Sequence, residues 1–348
     1  MYNATKHFNA LYDGVRGEFS FRASTRDEWL EWQAAFRPRL RQALGLDNME
    51  ADLRGYEPRA EKTGEEDQGD HIREEWRLWV EPTVPLPFYL LRPKEARAAL
   101  PLVLTPHGHN HPHIYAGIYR SDDERKSIEE GERDIAVQAV REGYFAIAPT
   151  TRAFGETRTE KDLEDNALSS CRTNLVHGLL VGRTPIGERV WDMSRLIDWA
   201  LENEDVDPAR IAITGNSGGG TVSVWAAACE PRISVAVPSC YFCTFRGSIG
   251  SIFHCDCNYV PGILRLGEMY DVAGLTAPRA FCAIAGKDDG IFPLEHVKTA
   301  FDRLKRVYEV AGVPDHCSLY VGEGGHRYYR QGAWPFVRHH FERIARGE

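Results

Sequence analysis

Arg210-Ile211-Ala212-Ile213-Thr214-Gly215-Asn216-Ser217-Gly218-Gly219-Gly220 decides the fold. Its first five residues form a short apolar run that reads as a buried strand. The residues from Gly220 to Cys229, rich in Ala and Val and carrying Trp225, read as a helix. Between them, Gly215-Asn216-Ser217-Gly218-Gly219 has the Gly-x-Ser-x-Gly pattern of a nucleophile elbow. A strand that enters a helix through a tight turn holds the serine in a strained conformation. The flanking glycines let neighbouring backbone pass close. The serine oxygen then projects above the sheet edge, beside the helix N-terminus.

A serine hydroxyl is a weak nucleophile at neutral pH and needs a base, which needs an orienting acid. After such an elbow the chain order is serine, acid, histidine. Arg279 to Ala285 reads as a buried strand and runs into Gly286-Lys287-Asp288-Asp289-Gly290-Ile291-Phe292-Pro293. Asp288 and Asp289 are both candidates for the acid. Gly-x-x-Asp with Pro four residues on favours Asp289 and leaves Asp288 as a turn or cap residue. Ser318 to Val321 reads as a further strand, followed by Gly322-Glu323-Gly324-Gly325-His326-Arg327. A histidine in a glycine-rich loop before a C-terminal helix is the expected base, so His326 is preferred and His316 is the weaker rival. The predicted oxyanion donors are the backbone N–H of Gly218 and that of His109, which follows the strand Pro101 to Thr105 in Pro106-His107-Gly108-His109-Asn110. Each such donor is worth roughly 3–4 kcal/mol in the transition state.

The chain has 348 residues and a net charge of −9, enough length for a large core and no long basic block, which argues against a nucleic-acid partner. No basic segment followed by an apolar core opens the chain, and no stretch is long enough to span a membrane. The expectation is a cytoplasmic protein acting on a small-molecule ester, with homo-oligomerisation left open. Eight cysteines in such a protein are expected to be free packing thiols. Cys240, Cys243, Cys255 and Cys257 also match a paired zinc-binding pattern or a disulfide, and are the less favoured readings. His107, His109, His111 and His113 alternate along one loop, but the familiar His-x-His-x-Asp-His run fails, with His at 111 and Pro at 112. They are read as polar, partly exposed residues of the oxyanion loop, and neither a metal nor a cofactor is expected.

Residues 1–50 read as mostly helical. Thr25 with Glu28 resembles a capping box, and Trp29, Trp32, Phe36, Leu40 and Leu44 share one face. Residues 57–71 read as an exposed loop, so residues 1–70 are taken as an N-terminal helical extension and residues 71–348 as the catalytic domain. Strands near Ile72–Val80 and Phe88–Leu91 would start the sheet antiparallel. From about residue 100, strands alternate with helices near 131–141, 188–203, 218–228, 294–311 and 334–346, which implies a mainly parallel sheet flanked by helices. Two irregular stretches, 150–187 and 239–275, follow strand ends and are expected to reach over the site. Phe154, Tyr241, Phe242 and Tyr259 within them are candidate substrate-pocket walls.

Over roughly residues 75–345 the chain resembles bacterial α/β-hydrolases of the dienelactone hydrolase and acetyl xylan esterase group. The resemblance rests on His107-Gly108-His109-Asn110, the run Arg183-Thr184-Pro185-Ile186-Gly187-Glu188-Arg189-Val190-Trp191-Asp192 and the Ser217 elbow. It also rests on His254-Cys255-Asp256-Cys257-Asn258-Tyr259-Val260-Pro261-Gly262, the Asp289 turn and Gly324-Gly325-His326-Arg327. It implies the α/β-hydrolase fold, Ser217, Asp289 and His326 as the triad, and Gly218 and His109 as oxyanion donors. The expected activity is that of a serine carboxylesterase acting through an acyl-enzyme on short acyl esters, such as acetyl groups on a sugar. An amide hydrolase with the same triad, or a non-catalytic binding protein on the same scaffold, are the rival readings. The chain departs from dienelactone hydrolases in having serine for cysteine. It departs from acetyl xylan esterases at Ala153-Phe154, where a Gly-Gln pair is usual, so xylan-derived acetyl esters do not follow from the resemblance.

Overall fold

The computed structural model describes residues 2–95 and 99–348. Four short apolar runs supply the middle of the sheet: β4 (Leu100–Leu104), β5 (Phe145–Pro149), β7 (Val235–Ser239) and β8 (Ala280–Gly286). Nearly every residue in them is buried, because helices cover both faces of a parallel sheet and leave no polar side to the strand. The remaining strands are β1 (Ala60–Asp67), β2 (His71–Glu81), β3 (Val84–Pro93), β6 (Val206–Asn216) and β9 (Cys317–Gly322). The order across the sheet is β1-β2-β3-β5-β4-β6-β7-β8-β9. The first three strands and the β3/β5 pair are antiparallel, and all pairings from β5 through β9 are parallel.

The segment expected as an exposed loop at 57–71 is exposed but is largely strand β1. Its side chains are almost all polar and charged, so hydrophobic periodicity gives no signal. The backbone nonetheless pairs with β2 from Ala60 to Asp67. The sheet therefore reaches back across the boundary expected at residue 70. The helix Arg26–Leu44 is closed at its start by the Thr25/Glu28 capping box and buries Trp29, Phe36, Leu40 and Leu44 in the same core as the sheet. Trp32 lies half-buried at the edge of that face and donates its indole N–H to the Phe19 carbonyl at 2.7 Å.

The helix expected near 131–141 is Ile135–Arg141, and a separate helix, Asp122–Glu130, precedes it, the two divided where Glu132 takes a φ of 53°. The stretch 150–187, read as irregular, holds the helices Glu160–Glu164 and Cys171–Leu180. Among the described residues no helix is long and apolar enough to cross a membrane.

Candidate active site

The elbow is built where β6 ends. Ser217 sits at φ 58°, ψ −117°, a conformation that costs about 1–3 kcal/mol for a residue with a side chain. Its N–H donates to the Ser239 carbonyl of β7 at 2.9 Å, and its carbonyl accepts from the Thr221 N–H at 2.9 Å, so sheet and helix both hold the strain. The helix Gly218–Cys229 starts at the next residue. A Cβ at Gly219 would lie 2.1 Å from the Pro106 carbonyl oxygen, and one at Gly108 would lie 2.7 Å from that of Asn216. Only glycines let the 106–109 loop press this close to the elbow.

His326 follows β9 and Asp289 follows β8, and the two meet. His326 Nδ1 bonds Asp289 Oδ2 at 2.8 Å. The other carboxylate oxygen of Asp289 accepts the N–H groups of Ile291 at 2.8 Å and Phe292 at 3.1 Å. Burial alone would raise the Asp289 carboxyl, but the contact with His326 and the two backbone donors outweigh it and hold it below its ordinary value. Asp288, the other candidate, is exposed. Ser217, Gly218, His109 and His326 line one cavity of about 500 Å³. With Nδ1 engaged by Asp289, His326 has Nε2 left for work in that cavity. The Phe292 ring stacks on the His326 imidazole, centroids 5.9 Å apart.

The 106–109 loop, expected to carry an oxyanion donor, has an anchor that sequence reasoning missed. His107 is buried, whereas the loop histidines were expected to be partly exposed. The Thr151 N–H donates to His107 Nε2 at 2.9 Å, so that nitrogen carries no proton and Nδ1–H donates to the Gly108 carbonyl at 2.7 Å. Burial pushes the His107 pKa down to about 3, so the ring stays neutral. Fixing the Gly108 carbonyl fixes the plane of the Gly108–His109 peptide, and with it the direction of the His109 N–H. Tyr115, also missed, accepts the Asn216 N–H at 3.1 Å through its buried hydroxyl, tying the loop to the elbow. No sequence signal marks either role, because each depends on a backbone group from a distant strand end.

The four histidines of the loop take separate partners. His113 is buried and its Nε2 lies 3.2 Å from Glu124, while the His111 ring stacks on His113. His109 turns its Nε2 toward the Cys257 thiol, 3.7 Å away. The expected pocket walls do not line the cavity. Phe154 is buried, edge-on to the rings of His107 and His109. Tyr241 accepts the Trp225 indole N–H beneath the elbow helix, Phe242 packs on Phe281 in the core, and Tyr259 is half-exposed outside the cavity. Aromatic content marked them, but these rings fill the layer under the site. The walls are instead Ile252, Phe253, His254, Ile291 and Phe292, with polar groups from Asn110, Arg133, Asn216, Asn258 and Arg327. Cys240, at φ 49°, donates its thiol to the Arg327 carbonyl at 3.2 Å, behind the Asp289–His326 pair.

The run from Arg183 to Asp192 acquires a structural meaning. Thr184 caps the helix Pro185–Asn203 by accepting the Gly187 N–H at 3.0 Å. Glu188 and Asp192, one turn apart, then face Arg152. Arg152 is buried and pairs with Asp192 at 2.5 Å, Glu81 at 2.6 Å and Glu188 at 3.6 Å, and Arg183 adds a second cation at 2.7 Å from Glu81. Burial pushes the Asp192 and Glu188 carboxyls up in spite of these partners. This network fixes the start of the 150–187 segment against the body of the sheet.

Comparison with known proteins agrees with this architecture. Residues 87–252 match the family model for acetyl xylan esterase (AXE1). YtaP of Bacillus subtilis, named as a hydrolase, is 26% identical over 248 residues, covering 69% of this chain and 77% of that protein. A Bacteroides fragilis structure described as an acetyl xylan esterase superposes with a TM-score of 0.76 at 17% identity, over 96% of this chain and 84% of that one. A glucuronoyl esterase from Solibacter usitatus gives a TM-score of 0.66 at 14% identity, over 94% and 97% of the two chains. The fold is that of the α/β-hydrolases, and the resemblance to the dienelactone hydrolase and acetyl xylan esterase group holds. The comparisons support an ester hydrolase.

Proposed function

We infer that the chain is a serine carboxylesterase acting on short acyl esters through an acyl-enzyme. The observation that carries this reading is the strained Ser217 in one cavity with the Asp289-oriented His326. Ser217 attacks the ester carbonyl while His326 takes its proton at Nε2, and Asp289 stabilises the imidazolium. The N–H groups of Gly218 and His109 receive the oxyanion. His326 returns the proton to the departing alcohol, and water then cleaves the acyl-enzyme by the same route. The cavity, about 500 Å³, supports a small acyl group. Its asparagines and arginines offer hydrogen bonds to a polyhydroxylated alcohol, which supports an acylated carbohydrate as the substrate class. The names of the relatives, esterases of acetyl and glucuronoyl groups, are consistent with that class.

The test is hydrolysis of p-nitrophenyl acetate, butyrate and octanoate by the wild type and by Ser217→Ala, with rapid-quench mass spectrometry on the wild type. The acetate is expected to turn over fastest, with the acyl mass on the peptide that holds Ser217. Turnover by Ser217→Ala at the wild-type rate would sink the mechanism.

A further inference from the structure

We propose that His109, Cys171, Cys255 and Cys257 form a tetrahedral site for a zinc ion, which ties the loop of His109 to the helix Cys171–Leu180, outside the cavity, and to the 252–258 stretch that lines it. One ligand atom from each of the four lies within 4.8 Å of every other. Cys257 Sγ is 3.7 Å from His109 Nε2 and 3.4 Å from Cys255 Sγ. Zinc–sulfur and zinc–nitrogen bonds of about 2.3 and 2.0–2.1 Å in a tetrahedron place neighbouring ligand atoms about 3.5–3.8 Å apart, so the cluster needs little adjustment to close on the ion. Three thiolates and an imidazole are the donors that zinc favours, and four protein ligands leave no open position. The ion would therefore be structural, and no step of ester hydrolysis passes through it.

A second observation points the same way. Arg189 is 1% exposed and has no carboxylate partner within ion-pair distance among the described residues. It donates to the Arg152 carbonyl at 2.9 Å and to the Cys171 thiol at 3.4 Å, with the Cys257 side chain near enough to act on its charge. A buried cation without a counter-charge is strongly unfavourable. Three thiolates around one divalent ion leave a single negative charge, which this guanidinium balances while donating to the Cys171 sulfur.

The four ligands come from three separate places. His109 belongs to the 106–109 loop, Cys171 opens the helix Cys171–Leu180, and Cys255 precedes the turn Asp256–Asn258 that holds Cys257. An ion bound to Nε2 of His109 forces the proton onto Nδ1, on the side of the ring that lies against Gly218. It would thus fix both the tautomer and the position of the residue proposed as the second oxyanion donor. The pairing considered from sequence, Cys240 and Cys243 with Cys255 and Cys257, does not assemble, since Cys240 lies behind His326 and the Cys243 N–H packs on Met269.

The site does not depend on the esterase reading, and its test is independent of activity. The full chain, purified reduced, is loaded with zinc sulfate, dialysed against metal-free buffer and assayed by plasma mass spectrometry. About one zinc per chain is expected in the wild type and in Ser217→Ala. Cys171→Ser, Cys255→Ser and Cys257→Ser should each retain several-fold less, while Cys282→Ser, at a buried thiol elsewhere, keeps the wild-type content. Cobalt(II) loaded into the wild type should give the visible bands and near-ultraviolet thiolate transition of a tetrahedral sulfur site, a reading that needs no variant. Wild-type protein that dialyses to less than roughly a tenth of an ion per chain overturns the proposal. So does wild-type protein found with Cys255 or Cys257 in a disulfide after reduction and zinc loading.

Discussion

Replacing His107 by Phe keeps a ring of similar size in the same buried site but deletes both of its hydrogen bonds. The Thr151 N–H loses its acceptor at 2.9 Å, and the Gly108 carbonyl loses one of two donors, at 2.7 Å, keeping the Asn110 N–H at 2.9 Å. Leaving the buried Thr151 N–H unpaired costs about 1–3 kcal/mol and losing one of the two bonds to the Gly108 carbonyl about 0.5–1.5 kcal/mol, so His107→Phe should lose about 1.5–4.5 kcal/mol of stability. The effect on catalysis is separable. Held by the Asn110 N–H alone, the Gly108–His109 peptide can tilt, and one misplaced oxyanion donor costs about 2.7–4 kcal/mol, which is roughly 10²–10³ in kcat. The expected result is a fall in kcat of that order on p-nitrophenyl acetate, with KM changed by less than about threefold. Two further variants divide the effects. His107→Asn puts an N–H donor near the Nδ1 position and should recover kcat more than stability. His107→Gln reaches toward Thr151 and should recover stability more than kcat. Urea unfolding and steady-state kinetics on all four proteins decide the matter. If His107→Phe is destabilised but keeps kcat within about threefold of wild type, the loop is held by other means and the anchoring role is refuted.

Two other outcomes follow from buried charge. His107 has a folded pKa of about 3 against an ordinary value of 6.5, so below pH 6.5 the unfolded chain binds a proton that the folded chain refuses. Stability must fall as pH drops, by about 2 kcal/mol between pH 7 and 5 from this group, and unfolding curves of His107→Phe should lack that part of the slope; parallel curves for the two proteins would contradict it. Arg152→Met leaves Asp192, Glu188 and Glu81 without their main cation, at a cost of about 3–5 kcal/mol. Those carboxyls would then hold protons in the folded state that the unfolded chain releases, so the variant should lose further stability as pH rises from 5.5 to 8. Denaturant titrations at the two pH values check the sign.

The parts of the site that could be read from sequence are those whose signal is local. Ser217, Asp289 and His326 each follow an apolar run and sit in a glycine-containing turn, so strand, turn and residue type coincide within a few positions. The middle strands were legible for the same reason. β1 was not, because its charged faces carry no periodicity and only the backbone of β2 defines it. The cysteines are free thiols, as expected, but which of them cluster was not legible. C-x-x-C and C-x-C spacings drew attention to Cys240 and Cys243, while the residue that joins Cys255 and Cys257 is Cys171, placed there by the helix Cys171–Leu180 folding over the turn Asp256–Asn258. The aromatic residues were misplaced because ring size predicts burial equally well for a pocket wall and for the packed layer beneath it.

The charge on β1 has a consequence for how these molecules behave in a crowd. An open sheet presents unpaired N–H and C=O groups along its last strand, a ready template for another copy. Here that strand carries Glu61, Glu65, Glu66 and Asp67 against a single Lys62, with all of these exposed. Glu65, Glu66 and Asp67 there pair with Lys62, Arg73 and Lys94, so a second copy docking at about 5 Å would have to desolvate or break these ion pairs and bury the charge of Glu61. The same residues that hid the strand from pattern reading thus guard the sheet against ribbon-like self-association, and high salt is the condition that would lower that guard.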